Sequence, residues 1–219
     1  MSYFSNIPNI EYDTKPIQYP FSESEYVVAK NFFRRYQVNP DVFSYAVYFK
    51  KYSVMEGEKI YEVAEKAYGD AFLDWVIILT NNIVNTQFDW PLSEYDLRKY
   101  CEKNYEDAYG TIKYYRTTDA LIKKEDGTPV IKPGLIVDEA FYNSTYRYWD
   151  DDQVRAVAGN AISTPITIFE YEQEQNEKKR EIFLLKPSYL ESFLDDFRKT
   201  NLYKKSKDYI SSTLKKTGV

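Results

Sequence analysis

The segment that most narrows what this chain can fold into runs from residue 56 to residue 82. Ile60, Val63, Ala64 and Ala67 recur at i, i+3, i+4 and i+7, and Lys59, Glu62, Glu65 and Lys66 fill the positions between. This is the pattern of a helix with one buried face. Tyr68 then meets Gly69, the residue best able to take the left-handed conformation that ends a helix. Asp70 follows at once and can cap a second helix, on which Phe72, Trp75, Val76, Ile78 and Leu79 form the apolar side. A link this short forces the two helices into a tight pair.

The flanking segments are read the same way. Residues 2–22 carry Pro8, Pro16 and Pro20 between Tyr3, Phe4, Tyr12, Tyr19 and Phe21, which predicts an extended apolar arm lying along the body or along a partner. Ser22 and Glu25 form a capping-box pattern that opens a short helix bearing Val27, Val28, Phe32 and Phe33, ended by Pro40. Residues 42–54, rich in Val, Tyr and Phe, suggest a strand. Ser93 caps a third helix reaching about Asn104, with Asp96 at the reciprocal position. Short strands are expected at Thr111–Arg116, Leu121–Lys123, Val130–Lys132 and Leu135–Val137, with a turn at Glu125-Asp126-Gly127. Acid before base along Glu170–Arg180 suits a helix dipole. Ile182–Leu185 reads as a strand. Ser188 with Glu191 reads as a capping box for a helix striped by Leu190, Phe193, Leu194 and Phe197.

The fold class is therefore α+β. Four stretches are delimited: an N-terminal arm and helix over 1–50, a helix-pair domain over 51–91, a helix with a β-rich region over 92–160, and a C-terminal helical region with a basic tail over 161–219. In that tail Arg198, Lys199, Lys204, Lys205, Lys207, Lys215 and Lys216 face Asp208 alone, although the chain as a whole carries −5. A basic tail on an acidic body suggests attachment to something acidic, a neighbouring copy or a partner; the alternative is a frayed end. Residues 198–219 read as removable with little loss of fold.

Composition excludes much chemistry. There is no histidine, which removes His-based acid–base catalysis and His-ligated metals. The single cysteine, Cys101, has no histidine to activate it and no partner for a disulfide. No phosphate-cradling glycine loop is present. Asp150-Asp151-Asp152 is read as a solvated turn ahead of a cation site. Neither a cofactor nor a metal is expected. The acidic balance argues against nucleic acid, and no apolar run approaches the ~20 residues that cross a bilayer. What stands out is an aromatic content of 18%, including 23 Tyr. Tyr packs its ring and hydrogen-bonds through its hydroxyl, which favours surfaces buried against other proteins.

Residues 52–83 resemble the LysM module: an aromatic-x-Val strand, Gly57-Glu58, a helix ending Tyr68-Gly69, and a second helix ending in Asn81. The resemblance implies a βααβ unit. It places a groove between the loop Val54, Met55, Glu56, Gly57, Glu58 and the loop Asn81, Asn82, Ile83, there to take N-acetylglucosamine polymers such as peptidoglycan or, instead, a partner chain. The usual second strand is missing from Val84–Pro91. A longer pattern joins Asn9-Ile10-x-Tyr12-Asp13, Asp74-Trp75-Val76-Ile77, Asp89-Trp90-Pro91, Ile166-x-x-Phe169-Glu170-Tyr171-Glu172 and Asn176–Ile182. Together these resemble the LysM-like baseplate wedge proteins of contractile-tailed, T4-like bacteriophages. The resemblance implies a structural protein of the virion tail without enzymatic activity, assembled in the host cytoplasm. It would join neighbouring wedges and touch other wedge proteins, the sheath-initiating protein and neighbouring copies of itself, with no nucleic acid or membrane as partner.

Overall fold

A computed structural model describes residues 2–13, 26–33, 38, 41, 45, 47–118, 121–123 and 127–216. In chain order the elements are β1 (Asn9–Asp13), β2 (Tyr26–Lys30), β3 (Phe49–Ser53), α1 (Ile60–Tyr68), α2 (Asp74–Thr80), α3 (Glu94–Asn104), β4 (Ile112–Thr117), β5 (Leu121–Ile122), β6 (Pro129–Ile131), β7 (Ile136–Val137) and α4 (Glu139–Tyr142). They continue as β8 (Thr145–Asp150), β9 (Gln153–Ala158), α5 (Gly159–Ile162), β10 (Ser163–Thr167), α6 (Ile168–Lys178), β11 (Glu181–Leu185), α7 (Pro187–Asn201), β12 (Tyr209–Ser211) and β13 (Leu214–Lys216). The class is α+β, as expected. Two compact units form: Met1–Pro91 with Arg180–Val219, and Leu92–Lys179.

The first unit is built on the helix pair. α1 ends where Gly69 adopts φ 70°, and its N–H closes on the Glu65 carbonyl. Asp70 caps as read, but what it caps is a single 3-10 turn, Ala71–Leu73, and Asp74 opens α2. No strand forms over Val84–Pro91; the strand beside β3 is β11, which belongs to this first unit and follows residues 92–179 in sequence. β11 pairs antiparallel with β3, from Glu181 opposite Ser53 to Leu185 opposite Phe49. Residues 92–179 therefore lie in sequence between α2 and the strand that pairs with β3. Ile182 and Leu184 pack with Val54, Val63, Ala64, Ile77 and Trp90. A second cluster joins Phe49, Leu73, Trp75, Val76 and Leu185 to Leu194 and Phe197 of α7, and Tyr3 packs against it.

Both chain ends enter one sheet, ordered β12-β13-β1-β2. β1 pairs antiparallel with β2 over five residues and parallel with β13. Three expectations, and the alternative of a frayed tail, are corrected here. The helix carrying Val27 and Val28 is a strand: Tyr-Val-Val is β-branched and aromatic sequence, and β1 offers it a full ladder. Its expected cap, Ser22–Glu25, lies outside the described residues. The tail is not frayed through residue 216, because β13 hydrogen-bonds β1 across nearly the whole chain length. Nor is 198–219 simply removable, since Arg198–Asn201 form the last turn of α7 and Asn201 is fully buried. The capping box expected at Ser188 is also absent. α7 starts at Pro187, whose fixed φ suits a first helical position, with Lys186 before it.

In the second unit, α3 and α6 pack over Leu97, Cys101 and Ala108, backed by Ile168 and Phe169. α3 has the predicted Ser93 cap, which accepts from the Asp96 N–H at 3.1 Å. α6 has a capping box between Thr167 and Glu170. β4 lies between β10 and β7, and β5 pairs with β6. Gly127 of the expected turn has φ 71°, while Glu125 and Asp126 lie outside the described residues. β8 and β9 form a hairpin whose two turn residues, Asp151 and Asp152, have φ 54° and 52°. That is a primed turn, and its right-handed twist matches the strands. The acid triplet is therefore split. Asp150 is buried and faces Arg155 Nε at 2.9 Å, while Asp151 and Asp152 form the solvated turn.

Candidate functional site

The residues singled out in the sequence fall on the two ends of the helix pair. The loop after β3 is organised by Glu58, whose side chain is 4% exposed. Its carboxylate accepts from Tyr52 Oη at 2.9 and 3.0 Å, from the Met55 N–H at 2.9 Å and from Lys66 Nζ at 2.5 Å. Burial pushes this carboxyl upward, but the hydrogen bonds from Lys66, Met55 and Tyr52 outweigh it and hold it below its ordinary value. The same pair holds Lys66 above its ordinary value, chiefly through the hydrogen bond to Glu58. The Glu58 carbonyl accepts from the Trp90 indole N–H at 2.8 Å, which pins the segment after α2 to the loop. Gly57 takes φ 73° at the tip of the turn. Arg180 pairs with Glu56 and donates to the Val54 carbonyl at 3.3 Å.

The second loop is organised by Asn81. Its Nδ2 donates to the Phe183 carbonyl at 2.8 Å, and its Oδ1 accepts from the Phe183 N–H at 2.8 Å. It also donates to the Ile77 carbonyl at the end of α2. A side-chain amide that mimics a strand neighbour satisfies both main-chain groups on the outer edge of β11. Asn82 takes φ 51° and is exposed, and Ile83 packs against the Val54–Ile77 cluster. Of the eight expected residues, Val54, Glu58, Asn81 and Ile83 are thus committed to internal contacts. Met55, Glu56, Gly57 and Asn82 are the ones that face solvent.

A cleft of about 630 Å³ does open here, but on the other flank of the first loop. Met55–Glu58 form one wall and Tyr61, Glu62, Glu65 and Lys66 of α1 form another, with Ala71 at the end. Asn81–Ile83 do not line it. Sequence reasoning did not single out this α1 face, because Tyr61, Glu62 and Glu65 look like an ordinary wet side until the loop folds beside them.

The second unit carries a clamp that was also missed. Asn176 of α6 is 3% exposed, accepts from the Leu92 N–H at 2.7 Å and donates to the Leu92 carbonyl at 2.9 Å. Arg116 of β4 grips Glu174 bidentately at 3.0 and 2.5 Å. Tyr105 Oη donates to Glu172 at 2.8 Å, and that bond, with burial and the carboxylate charge, pushes the phenol up to about 12. The Glu170–Arg180 segment is therefore partly spent on holding α3 and β4. Cys101 is buried beneath the same helices, and burial pushes its thiol upward. Among the described residues, no group of three or more Cys, Asp or Glu is placed to hold a metal.

The site is thus a set of side chains fastening loops to helices, on a chain whose motifs run in order from Asn9 to Ile182. Comparison with known families matches residues 2–200 to base plate wedge protein 53. The chain belongs to the base plate wedge protein 53 family. The match covers all of the second unit and the first unit up to residue 200, including the insertion between α2 and β11. A search of curated proteins returned no match. A wedge protein of this family is a structural part of the phage tail baseplate, so its place is the virion tail and its neighbours are other baseplate proteins. No helix among the described residues is long and apolar enough to cross a membrane.

Proposed function

We propose that this wedge protein joins neighbouring wedges of the baseplate through protein–protein interfaces. Its partners on this reading are other wedge proteins, the sheath-initiating protein and neighbouring copies of itself, and it assembles with them in the host cytoplasm. The β3–α1–α2–β11 order supports a LysM-like unit as its central scaffold. Met55, Glu56 and Asn82 are the groove residues best exposed for a partner chain.

The observation that carries the reading is an edge of the terminal sheet that no strand among the described residues covers. Among the described residues β2 is an edge strand of this sheet, opposite β12 at the other edge. Its Val27 and Val28, which point to opposite faces, are 50% and 57% exposed, and Phe32 and Phe33 just beyond are 63% and 69% exposed. A strand left apolar on both faces and unpaired on one edge is a template for another chain.

Co-elution of the chain with purified wedge components tests this. Val28→Lys places a charge on that edge without touching the buried clusters. The variant should keep its helical signal and lose its place in the assembly intermediate, and the Tyr26–Lys30 amides of the wild type should gain hydrogen-exchange protection on assembly. A variant that co-elutes like the wild type, with those amides unchanged, refutes the reading.

A further inference from the structure

The acid-lined cleft beside α1 has a matching surface on the same unit. Inside the cleft Met55 and Tyr61 are 58% and 53% exposed, giving an apolar floor. Two of its carboxylates are met locally, Glu56 by Arg180 and Glu58 by Lys66. That leaves Glu62 and Glu65, one and two turns into α1, as the net charge of the cleft. Glu62 does accept the Lys59 N–H at 2.8 Å, which fixes its position without cancelling its charge.

The complementary surface is the loop between α7 and β12. Lys204, Lys205 and Lys207 are exposed there, between Leu202 at 43% and Ile210 at 44% exposure. The loop is held at both ends. The Tyr203 N–H donates to the Ser212 carbonyl at 2.8 Å, and Tyr203 Oη accepts from Asn31 at 2.7 Å. Asp208, the acid within this stretch of sequence, faces Lys215 at 3.5 Å, so it does not neutralise the loop lysines. A preformed loop loses little conformational entropy on docking. None of its residues lines the cleft of its own chain.

We infer that the Lys204–Lys207 loop of one copy docks into the Met55–Glu65 cleft of a second copy. Lysine ammonium groups meet Glu62 and Glu65, and the apolar flanks of the loop cover Met55 and Tyr61. Because the two surfaces differ, the contact is head-to-tail, and repeating it gives a ring or an open filament. The inference rests on the proposal above that neighbouring copies are among the partners, and it names the two faces that would meet. It is separate from the Val54–Glu58 and Asn81–Ile83 groove, since Asn81–Ile83 do not line this cleft.

Sedimentation velocity of the full chain alone tests it, in about 50 mM and about 500 mM salt, where the screening length falls severalfold. Two charge-reversal variants are compared, E62K/E65K and K204E/K205E/K207E, each checked for unchanged circular dichroism. The wild type should show mass rising with concentration at low salt and falling back at high salt. Each variant alone should stay monomeric, having two like-charged faces. An equimolar mixture of the two should associate again, because each then carries the complement of the other. A monomeric wild type at low salt, variants that associate like the wild type, or a mixture that fails to recover would each overturn the inference. Wedge joining is read independently by co-elution with wedge components, so failure here leaves that result distinct.

Discussion

Replacing Glu58 with Gln removes one charge and one acceptor from a buried cluster while keeping the shape. Either orientation of the new amide points its NH₂ at a donor: at Lys66 Nζ if it replaces Oε1, or at the Met55 N–H if it replaces Oε2. Met55 N is fixed by the backbone, whereas Lys66 is half exposed and free to swing to water. The amide will therefore keep its oxygen on Met55 and give up the lysine. The loss is one charge-assisted bond at a partly screened site, about 1–2 kcal/mol. Glu58→Ala leaves both the Met55 N–H and the Tyr52 hydroxyl without their acceptor, so its cost should be greater, about 3 kcal/mol. Urea unfolding followed by tryptophan fluorescence is the assay, since Trp90 bonds directly to the Glu58 carbonyl. For a chain of this size each kcal/mol moves the thermal midpoint by roughly 2–4 °C. The pH dependence gives an independent check of sign. A carboxyl held below its ordinary value of 4.5 stabilises the fold above that pH, and the stabilisation is lost as pH falls through the lower, folded-state value. The wild type and Glu58→Gln should therefore differ at neutral pH and converge in acid. Equal midpoints at neutral pH, or a difference that does not shrink in acid, would refute the reasoning.

Three further outcomes follow from the packing. Asn176→Ala strips the Leu92 N–H and carbonyl of a partner in a buried place and should cost about 2–3 kcal/mol, read as faster hydrogen exchange at the start of α3; unchanged exchange would count against the clamp. Truncation after Asn201 removes β12 and β13 but spares α7, so the Trp75 cluster should unfold near the wild-type midpoint while the Asn9 and Glu11 amides, which face β13, lose protection. Truncation after Asp196 should cost about 3–5 kcal/mol more, because Phe197 is 6% exposed and its ring centroid lies 4.9 Å from that of Trp75.

Wherever one local signal was enough, sequence reading located the element. Gly69 had to take a positive φ after a helix, Ser93 had to cap, and the apolar stripe of α1 had one face to bury. Reading failed where the same residues allow two outcomes. Tyr26-Val27-Val28 can sit on a helix or a strand, and the choice was made by β1 lying within reach. The cleft and the groove loops show the same limit. Glu58 and Asn81 were picked out as potential contacts, yet their side chains are spent on Lys66, Met55 and Phe183. Nothing in Glu58 or Asn81 itself says that a lysine two turns away, or a strand 102 positions later, will claim it.

The sequence alone therefore determined α1 and α3 with their ends, the absence of histidine chemistry and the resemblance to wedge proteins. These depend on 3.6-residue periodicity, on caps a few residues apart and on composition, all of which are local or global sums. Only the tertiary structure decided that β11 closes the sheet begun by β3, that β13 joins β1, and that the wet face of α1 becomes one wall of a cleft. Those pairings join distant segments whose own sequences leave the partner open. They form because buried main-chain groups must be satisfied by whatever edge the packed helices bring into range.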